Sequence, residues 1–212
     1  MKKYTNAIEC NAYYHIYNRG INGEAIFKKE NNYVFFLLQY SKFIEPIANT
    51  YAYCLLSNHF HFLIKTKSAQ EIIEDIDKLE GKEKWVSESI KPASFYISNQ
   101  FAKLFNSYTQ SINKAENRTG SLFESPFRRV EVSSDSYFSH LIFYIHNNPQ
   151  KHGFVADFRK YKHSSYSSHL TNLKTRLKRQ DVLDWFGNKE QYQIFHSINH
   201  DEIEIEQLII EI

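Results

Sequence analysis

The sequence predicts an α+β fold with an antiparallel or mixed sheet and accompanying helices. Segments typical of strands alternate with segments of helical periodicity, but no βα unit recurs at a regular interval, as a doubly wound sheet requires. Two of the strands flank a short polar turn, which indicates an antiparallel hairpin. Fifteen Tyr, seventeen Phe and two Trp among 212 residues exclude a disordered chain.

Strands are predicted where aromatic and β-branched residues cluster between turn residues. Ser57 and Asn58 favour the turn of the hairpin, and Pro126 places the last extended segment at an edge or bulge. The predicted strands are Asn11–Arg19, Ile47–Leu56, His59–Thr66 and Ser121–Val132.

Helices are predicted where apolar residues recur every three or four positions. Pro46 follows the first of them, Ser134 is a suitable N-cap for the last, and Pro149 is expected to end that last helix. Gly81–Pro92 is expected to be a loop. The predicted helices are Glu30–Ile44, Ala69–Leu79, Ala93–Asn117 and Asp135–Asn148.

Composition excludes several classes of protein. Cys10 and Cys54 are the two cysteines and form no CxxC pair, so neither a disulfide scaffold nor a thiolate zinc site is expected. Apolar runs of about five residues are too short to span a membrane. The basic start Met1–Asn6 precedes no apolar segment of a secretory signal. We therefore expect a soluble, cytoplasmic protein.

The formal net charge of +2 conceals an uneven distribution. Residues 158–180 carry seven Lys and Arg and no acid, whereas residues 201–212 carry five acids and no base. Tyr161 and Tyr166 interleave with the basic residues, which is typical of a phosphate-binding surface, although a solvated loop and helix face has the same pattern. The acidic tail would serve as a partner helix, a dimer element or a cover for the basic surface.

His59 and His61 flank Phe60 in a predicted strand, so the two imidazoles project from one face about 7 Å apart at Cα. That geometry suits two ligands of one divalent cation, and Phe60 would anchor the strand in a core. Two solvent-facing or structural histidines are the alternative, because an HxH pair alone is a weak signal.

The last predicted helix places four residues along one stripe: Tyr137, Leu141, Tyr144 and Asn148. Tyr144 and Asn148 are one turn apart and can address the same point. A tyrosine hydroxyl with its pKa near 10 is a poor nucleophile unless a bound metal polarises the phosphate it attacks. The spacing itself does not choose between Tyr144 and Tyr137.

Five passages in order resemble the single-tyrosine HUH transposases, most closely the REP-associated tyrosine transposases. Together they extend over roughly residues 10–170. The passages are Tyr14–Gly20 (YHIYNRG), Ser57–Ile64 (SNHFHFLI), Arg118–Glu124 with Phe127–Arg129 (RTGSLFE, FRR), Tyr144–Pro149 with Lys151–Gly153 (YIHNNP, KHG), and Ser164–Tyr166 (SSY).

The resemblance implies an antiparallel sheet flanked by helices, of the ferredoxin-like HUH-endonuclease type, in residues 1–170. Residues 171–212 would form a helical extension with the acidic tail. By the resemblance, His59 and His61 bind Mg²⁺ or Mn²⁺, Asn148 completes the metal site, and Tyr144 is the nucleophile. Some relatives have Gln where Asn148 stands, and the shorter Asn leaves its direct coordination open.

The implied activity is that of a transposase, which nicks and transfers single-stranded DNA through a 5′-phosphotyrosine intermediate. The DNA would be a hairpin or palindrome, and members occur as monomers or homodimers. Plausible phosphate contacts, each of which could equally be an ordinary surface side chain, are Arg128, Arg129, Lys151, His152, Arg159 and Lys160.

Three other functions remain alternatives. A domesticated protein would bind DNA hairpins without cleaving them. A histidine-pair phosphoesterase would need two HxS/T motifs, and His163-Ser164-Ser165 offers only one loose match. A purely structural adaptor protein with a basic surface would have no use for the strand face that carries His59 and His61.

Overall fold

The computed structural model describes residues 7–80 and 92–198. Its centre is a four-stranded antiparallel sheet in the order β2-β3-β1-β4. In the pairing of β1 with β3, Tyr17 lies opposite His61 and Arg19 lies opposite His59. The strands are β1 (Tyr13–Arg19), β2 (Ala48–Leu55), β3 (His59–Thr66) and β4 (Arg128–Glu131). The expected α+β class and antiparallel sheet are confirmed.

One face of the sheet packs against helices α1 (Glu30–Ile44), α2 (Ala69–Glu80) and α3 (Ala93–Ala115). Phe60, Phe62 and Ile64 of β3 point into this layer, where they join a buried cluster with Phe36 and Tyr108. Side chains alternate between the faces of a strand, so this packing turns the two histidines of β3 to the other side.

The other face packs against α4 (Asp135–Lys151) and three shorter helices. Leu63 of the sheet, Leu141 and Ile142 of α4, and Val182 and Tyr192 of the last two helices share one buried cluster. The shorter helices are α5 (Tyr166–Leu170), α6 (Arg179–Phe186) and α7 (Lys189–Ser197).

Residues beyond 170 thus contribute to the core around α4, whereas a domain division at residue 170 stays a prediction. The acidic tail at 201–212 lies outside the described residues, as do residues 81–91 of the loop expected at Gly81–Pro92. Among the described residues, no helix is both long and apolar enough to cross a membrane.

The expectation that Pro149 ends the last long helix is wrong, since α4 continues to Lys151. Proline has a helical φ but no N–H to donate to Ile145 O, so α4 continues through Pro149 with one intrahelical donor fewer. The carbonyl of Pro149 accepts hydrogen bonds from Phe154 N and Val155 N, at 2.8 and 3.3 Å, which cap the helix end.

The expected strand Ser121–Val132 is also too long, because only Arg128–Glu131 joins the sheet continuously. Phe123 makes an isolated bridge to Gly20. Pro126 has no amide proton for a ladder hydrogen bond, so the continuous strand begins after it.

Candidate active site

A cavity of about 260 Å³ opens where β1 ends and β3 begins, next to helix α4. Strand β3 and the turn before it supply three of its side chains, α4 and the segment after it supply three more, and β1 supplies the last. The lining residues are Arg19, Asn58, His59, His61, Tyr144, His152 and Phe154.

His59 and His61 lie on one face of β3, as their spacing predicts. Their ring centroids are 5.2 Å apart and the ring planes are nearly perpendicular, at 89°. His61 is 3% exposed, and burial lowers its pKa well below the ordinary value, with the neighbouring histidines adding to the effect. Neutral imidazoles with available lone pairs are the form that binds metals.

The two asparagine side chains next to His59 show which of its ring nitrogens carries the proton. Its Nδ1 is 2.8 Å from Asn58 Oδ1, which can only accept, so Nδ1 carries the proton in the neutral ring. The lone pair on Nε2 then faces Asn148 Oδ1, another acceptor, at 3.2 Å. Turning over the Asn148 amide, or placing a cation between the two atoms, relieves this mismatch.

His61 is held by His15 of the neighbouring strand. His15 Nε2 lies 2.9 Å from His61 Nδ1, and the two rings stack at a centroid distance of 5.2 Å. Burial lowers the pKa of His15 to about 3, so this partner is neutral and can accept the Nδ1 proton of His61. His61 Nε2 is left buried without a hydrogen-bond partner among the described residues. In a metal-binding histidine, one ring nitrogen typically makes a hydrogen bond to a neighbouring residue, and the other keeps its lone pair for the metal.

The residues at this point fit a divalent cation. His59 Nε2, His61 Nε2 and Asn148 Oδ1 are two imidazole nitrogens and one amide oxygen, all neutral donors. Asn148 is fully buried, and its Nδ2 has no hydrogen-bond partner within residues 7–80 and 92–198. No group of three His, Cys, Asp or Glu side chains in the described part could hold a metal, so within that part the Asn148 amide would supply the third protein ligand.

Tyr144 lines the cavity with the two histidines. Its ring meets that of His61 edge-on, at 5.4 Å between centroids and 88° between planes. Lys151 Nζ lies 5.8 Å from the centre of the Tyr144 ring, one positive charge beside the phenol.

Tyr137, the alternative on the same stripe, does not line this cavity. Its hydroxyl is buried without a hydrogen-bond partner in the described part of the chain, and burial raises its pKa. The structure therefore brings Tyr144, and not Tyr137, next to the histidine pair.

The two arginines expected to contact DNA lie on opposite faces of β4. Arg128 lies opposite Tyr17, on the face of the histidines, and its guanidinium is 3.5 Å from Glu124. Arg129 lies opposite Ile16, on the α1 and α3 face, over the ring of Phe127 at 4.9 Å. Only Arg128 shares the face that carries the cavity.

The four remaining candidates follow Tyr144 in the chain. His152 is exposed at the cavity, with its ring 5.1 Å from that of His59, and Lys151 is half-buried beside it. Arg159 and Lys160 are exposed on a 3-10 turn, where Arg159 forms an ion pair with Asp157 at 2.8 Å. Neither of these two lines the cavity.

Helix α4 is held from its other side by a chain of buried hydrogen bonds. His196 Nδ1 donates to Tyr192 O at 2.8 Å, so its Nε2 accepts from His146 Nδ1 at 2.9 Å. His146 Nε2 then accepts from Ser165 Oγ at 2.8 Å, and Ser165 Oγ accepts from Tyr53 N at 2.8 Å. Burial lowers the pKa of His146 well below its usual value, consistent with these single-proton tautomers. This series of hydrogen bonds attaches α7 to His146, which lies between Tyr144 and Asn148 on α4.

The sequence analysis did not predict several residues that the structure brings to the site. These residues are His15, Arg19, Asn58 and Phe154. Alternation along β1 places His15, Tyr17 and Arg19 on one face, but the pairing of β1 with β3 was needed to show which face.

One solved structure, that of a REP-associated tyrosine transposase bound to a REP hairpin, superimposes with a TM-score of 0.57. The match covers 83% of this chain and 90% of that chain, at 12% sequence identity. The chain has the fold of that transposase. No protein-family model and no curated protein sequence match. The expected resemblance is thus confirmed at the level of this transposase fold.

Proposed function

We propose that the protein nicks and rejoins single-stranded DNA, with Tyr144 as the nucleophile. The supporting observation is the cavity in which the Tyr144 ring, the His59 and His61 pair and, beside them, Asn148 converge on a tyrosine-transposase fold.

In the proposed reaction, Tyr144 Oη attacks the scissile phosphorus. A bond from Oη to phosphorus forms, the bond from phosphorus to the 3′ oxygen breaks, and the phenol proton ends on the released 3′-OH. A 3′-OH that attacks the phosphotyrosine reverses these changes and joins the strands, so no water is consumed. The Lys151 charge beside the ring attracts the phosphate and stabilises negative charge on Oη.

We propose Mg²⁺ or Mn²⁺ as the cofactor, held by His59, His61 and Asn148. When bound, the ion supplies Lewis-acid polarisation of a phosphate oxygen. With the ion on Nε2 of each ring, His61 Nδ1 would donate to His15 Nε2 and His59 Nδ1 would donate to Asn58 Oδ1, which fixes both tautomers.

The proposed ligand is a DNA hairpin with a single-stranded flank. The solved transposase of this fold is bound to a REP hairpin. Three side chains on the same side as the cavity suit phosphates. Arg128 and Lys151 are positively charged, and His152 becomes so when it is protonated. A homodimer stays a prediction.

The test is a covalent adduct with DNA. Hairpins with randomised stems and flanks are incubated with the protein in Mn²⁺ or in EDTA and separated on a denaturing gel. Because the 5′ phosphate stays on Tyr144, a label at the 3′ end should travel with the protein, whereas a label at the 5′ end should leave on a shortened strand.

Tyr144→Phe is the matched control, since it removes one hydroxyl. Binding without an adduct would support the alternative of a hairpin-binding protein that does not cleave. The absence of both binding and adduct would overturn both functions.

A further inference from the structure

We propose that Phe154 is a stacking platform for the nucleobase next to the phosphate that Tyr144 attacks. This inference rests on the proposed function and names a contact for the DNA at the same cavity. It assigns a role to an aromatic side chain that the reaction itself does not use.

The backbone fixes the position of Phe154. Helix α4 ends in a Schellman motif, in which Phe154 N donates to Pro149 O at 2.8 Å and Gly153 N donates to Gln150 O at 3.0 Å. Gly153 takes the left-handed conformation that this motif requires, with φ of 71°. Phe154 is therefore tied to the end of the helix that carries Tyr144, ten residues earlier.

The side chain of Phe154 is exposed where a ligand would lie. It is 43% exposed, and neither hydrophobic cluster of the described residues includes it. An apolar residue at this place in a Schellman motif commonly packs back onto its helix, which would bury the ring. Here Phe154 keeps 43% of its surface exposed and lines the cavity together with Tyr144 and His59.

A nucleobase is the ligand that uses this arrangement best. A flat aromatic ring offers a π face but no hydrogen bond, and every base stacks on such a face. The same cavity is lined by His59, His61 and Tyr144, and the Lys151 charge lies 5.8 Å from the Tyr144 ring, so a phosphate would lie beside these groups. A base and its own phosphate can thus be bound at once, which holds the phosphodiester in register with Oη.

The experiment measures binding, so it does not depend on cleavage. A hairpin with a single-stranded flank is selected by its affinity for the protein from a randomised pool. 2-Aminopurine then replaces each flank base in turn, and its fluorescence is followed as protein is added without metal. Stacking on Phe154 should quench one position in the wild type, and Phe154→Ala should restore its fluorescence and raise Kd by about 5- to 150-fold.

Matched variants and substrates separate stacking from other contacts. Phe154→Tyr should keep the quench and the affinity, whereas Phe154→Leu, which retains apolar volume without a ring, should lose both. An abasic residue at the quenched position should make wild type and Phe154→Ala bind equally. Equal binding of intact DNA by wild type and Phe154→Leu, or no quenched position, would overturn the inference. Quenching without a covalent adduct would overturn the proposed cleavage while leaving the base contact standing.

Discussion

His196→Ala is expected to lower the free energy of unfolding by about 4 kcal/mol. His196 lies in α7, far from Tyr144 in the sequence, but it is tied to the helix that carries Tyr144. The side chain is 2% exposed and links α7 to α4 through His146. Its ring also packs against Tyr192 and Tyr166, at centroid distances of 4.2 and 5.2 Å.

Two effects make up this magnitude. Removing the imidazole leaves the His146 Nδ1 proton without its acceptor in a dry interior, which costs about 2 kcal/mol. The space left between the surrounding rings costs about 2 kcal/mol more, as for other truncations of buried side chains. The Tyr192 hydroxyl, 3.4 Å from His146 Nδ1, can recover only part of the first loss, because that contact is long.

Urea denaturation followed by circular dichroism measures the change. Ile194→Ala is the matched control, because Ile194 lies on the same helix but is 50% exposed, and its truncation should change stability by less than about 0.5 kcal/mol. A loss below about 1 kcal/mol for His196→Ala would refute the reasoning that the buried hydrogen-bond chain fastens α7 to α4.

Four further predictions concern the site and its surroundings. Tyr144→Phe should abolish the covalent adduct yet bind a DNA hairpin as the wild type does in fluorescence anisotropy; a persisting adduct would point to another nucleophile. His61→Ala should abolish Mn²⁺ binding, read from the electron paramagnetic resonance of free Mn²⁺, because it removes one of two imidazole ligands. Arg128→Ala should weaken hairpin binding and lower its salt slope by about 1, whereas Arg129→Ala, on the opposite face, should leave both unchanged. Burial lowers the pKa of His169 to about 4, so between pH 6.5 and 4 the unfolded state binds a proton that the folded state does not. The free energy of unfolding should therefore be undiminished above pH 6.5 and should fall as the pH drops towards 4. His169→Leu should flatten that loss in urea titrations by up to about 1.4 kcal/mol per pH unit, and an unchanged slope would contradict the assignment.

Local patterns were sufficient for much of the fold. The hairpin of β2 and β3 around Ser57 and Asn58 forms as predicted, since turn chemistry and strand character act within a few residues. His59 and His61 share a face because a strand repeats every two residues, and that face is the one opposite the core that Phe60 enters.

Other expectations were wrong because residues outside the predicted element decide where it begins or ends. Pro149 lies inside α4 since the following turn caps its carbonyl, which a proline rule cannot anticipate. The continuous strand expected from Ser121 begins only at Arg128, where pairing with β1 becomes available.

The sequence by itself determined the local periodicities: an α+β fold, two histidines on one strand face, and Tyr144 one turn before Asn148 on a helix. Helix and strand geometry repeat within one to two turns, so such relations can be derived from spacing alone. Only the tertiary structure decided that Tyr144 rather than Tyr137 meets the histidines, that His15 orients His61, and that Phe154 lines the same cavity. These contacts depend on strand register and on how α4 crosses the sheet, which packing of many residues sets together.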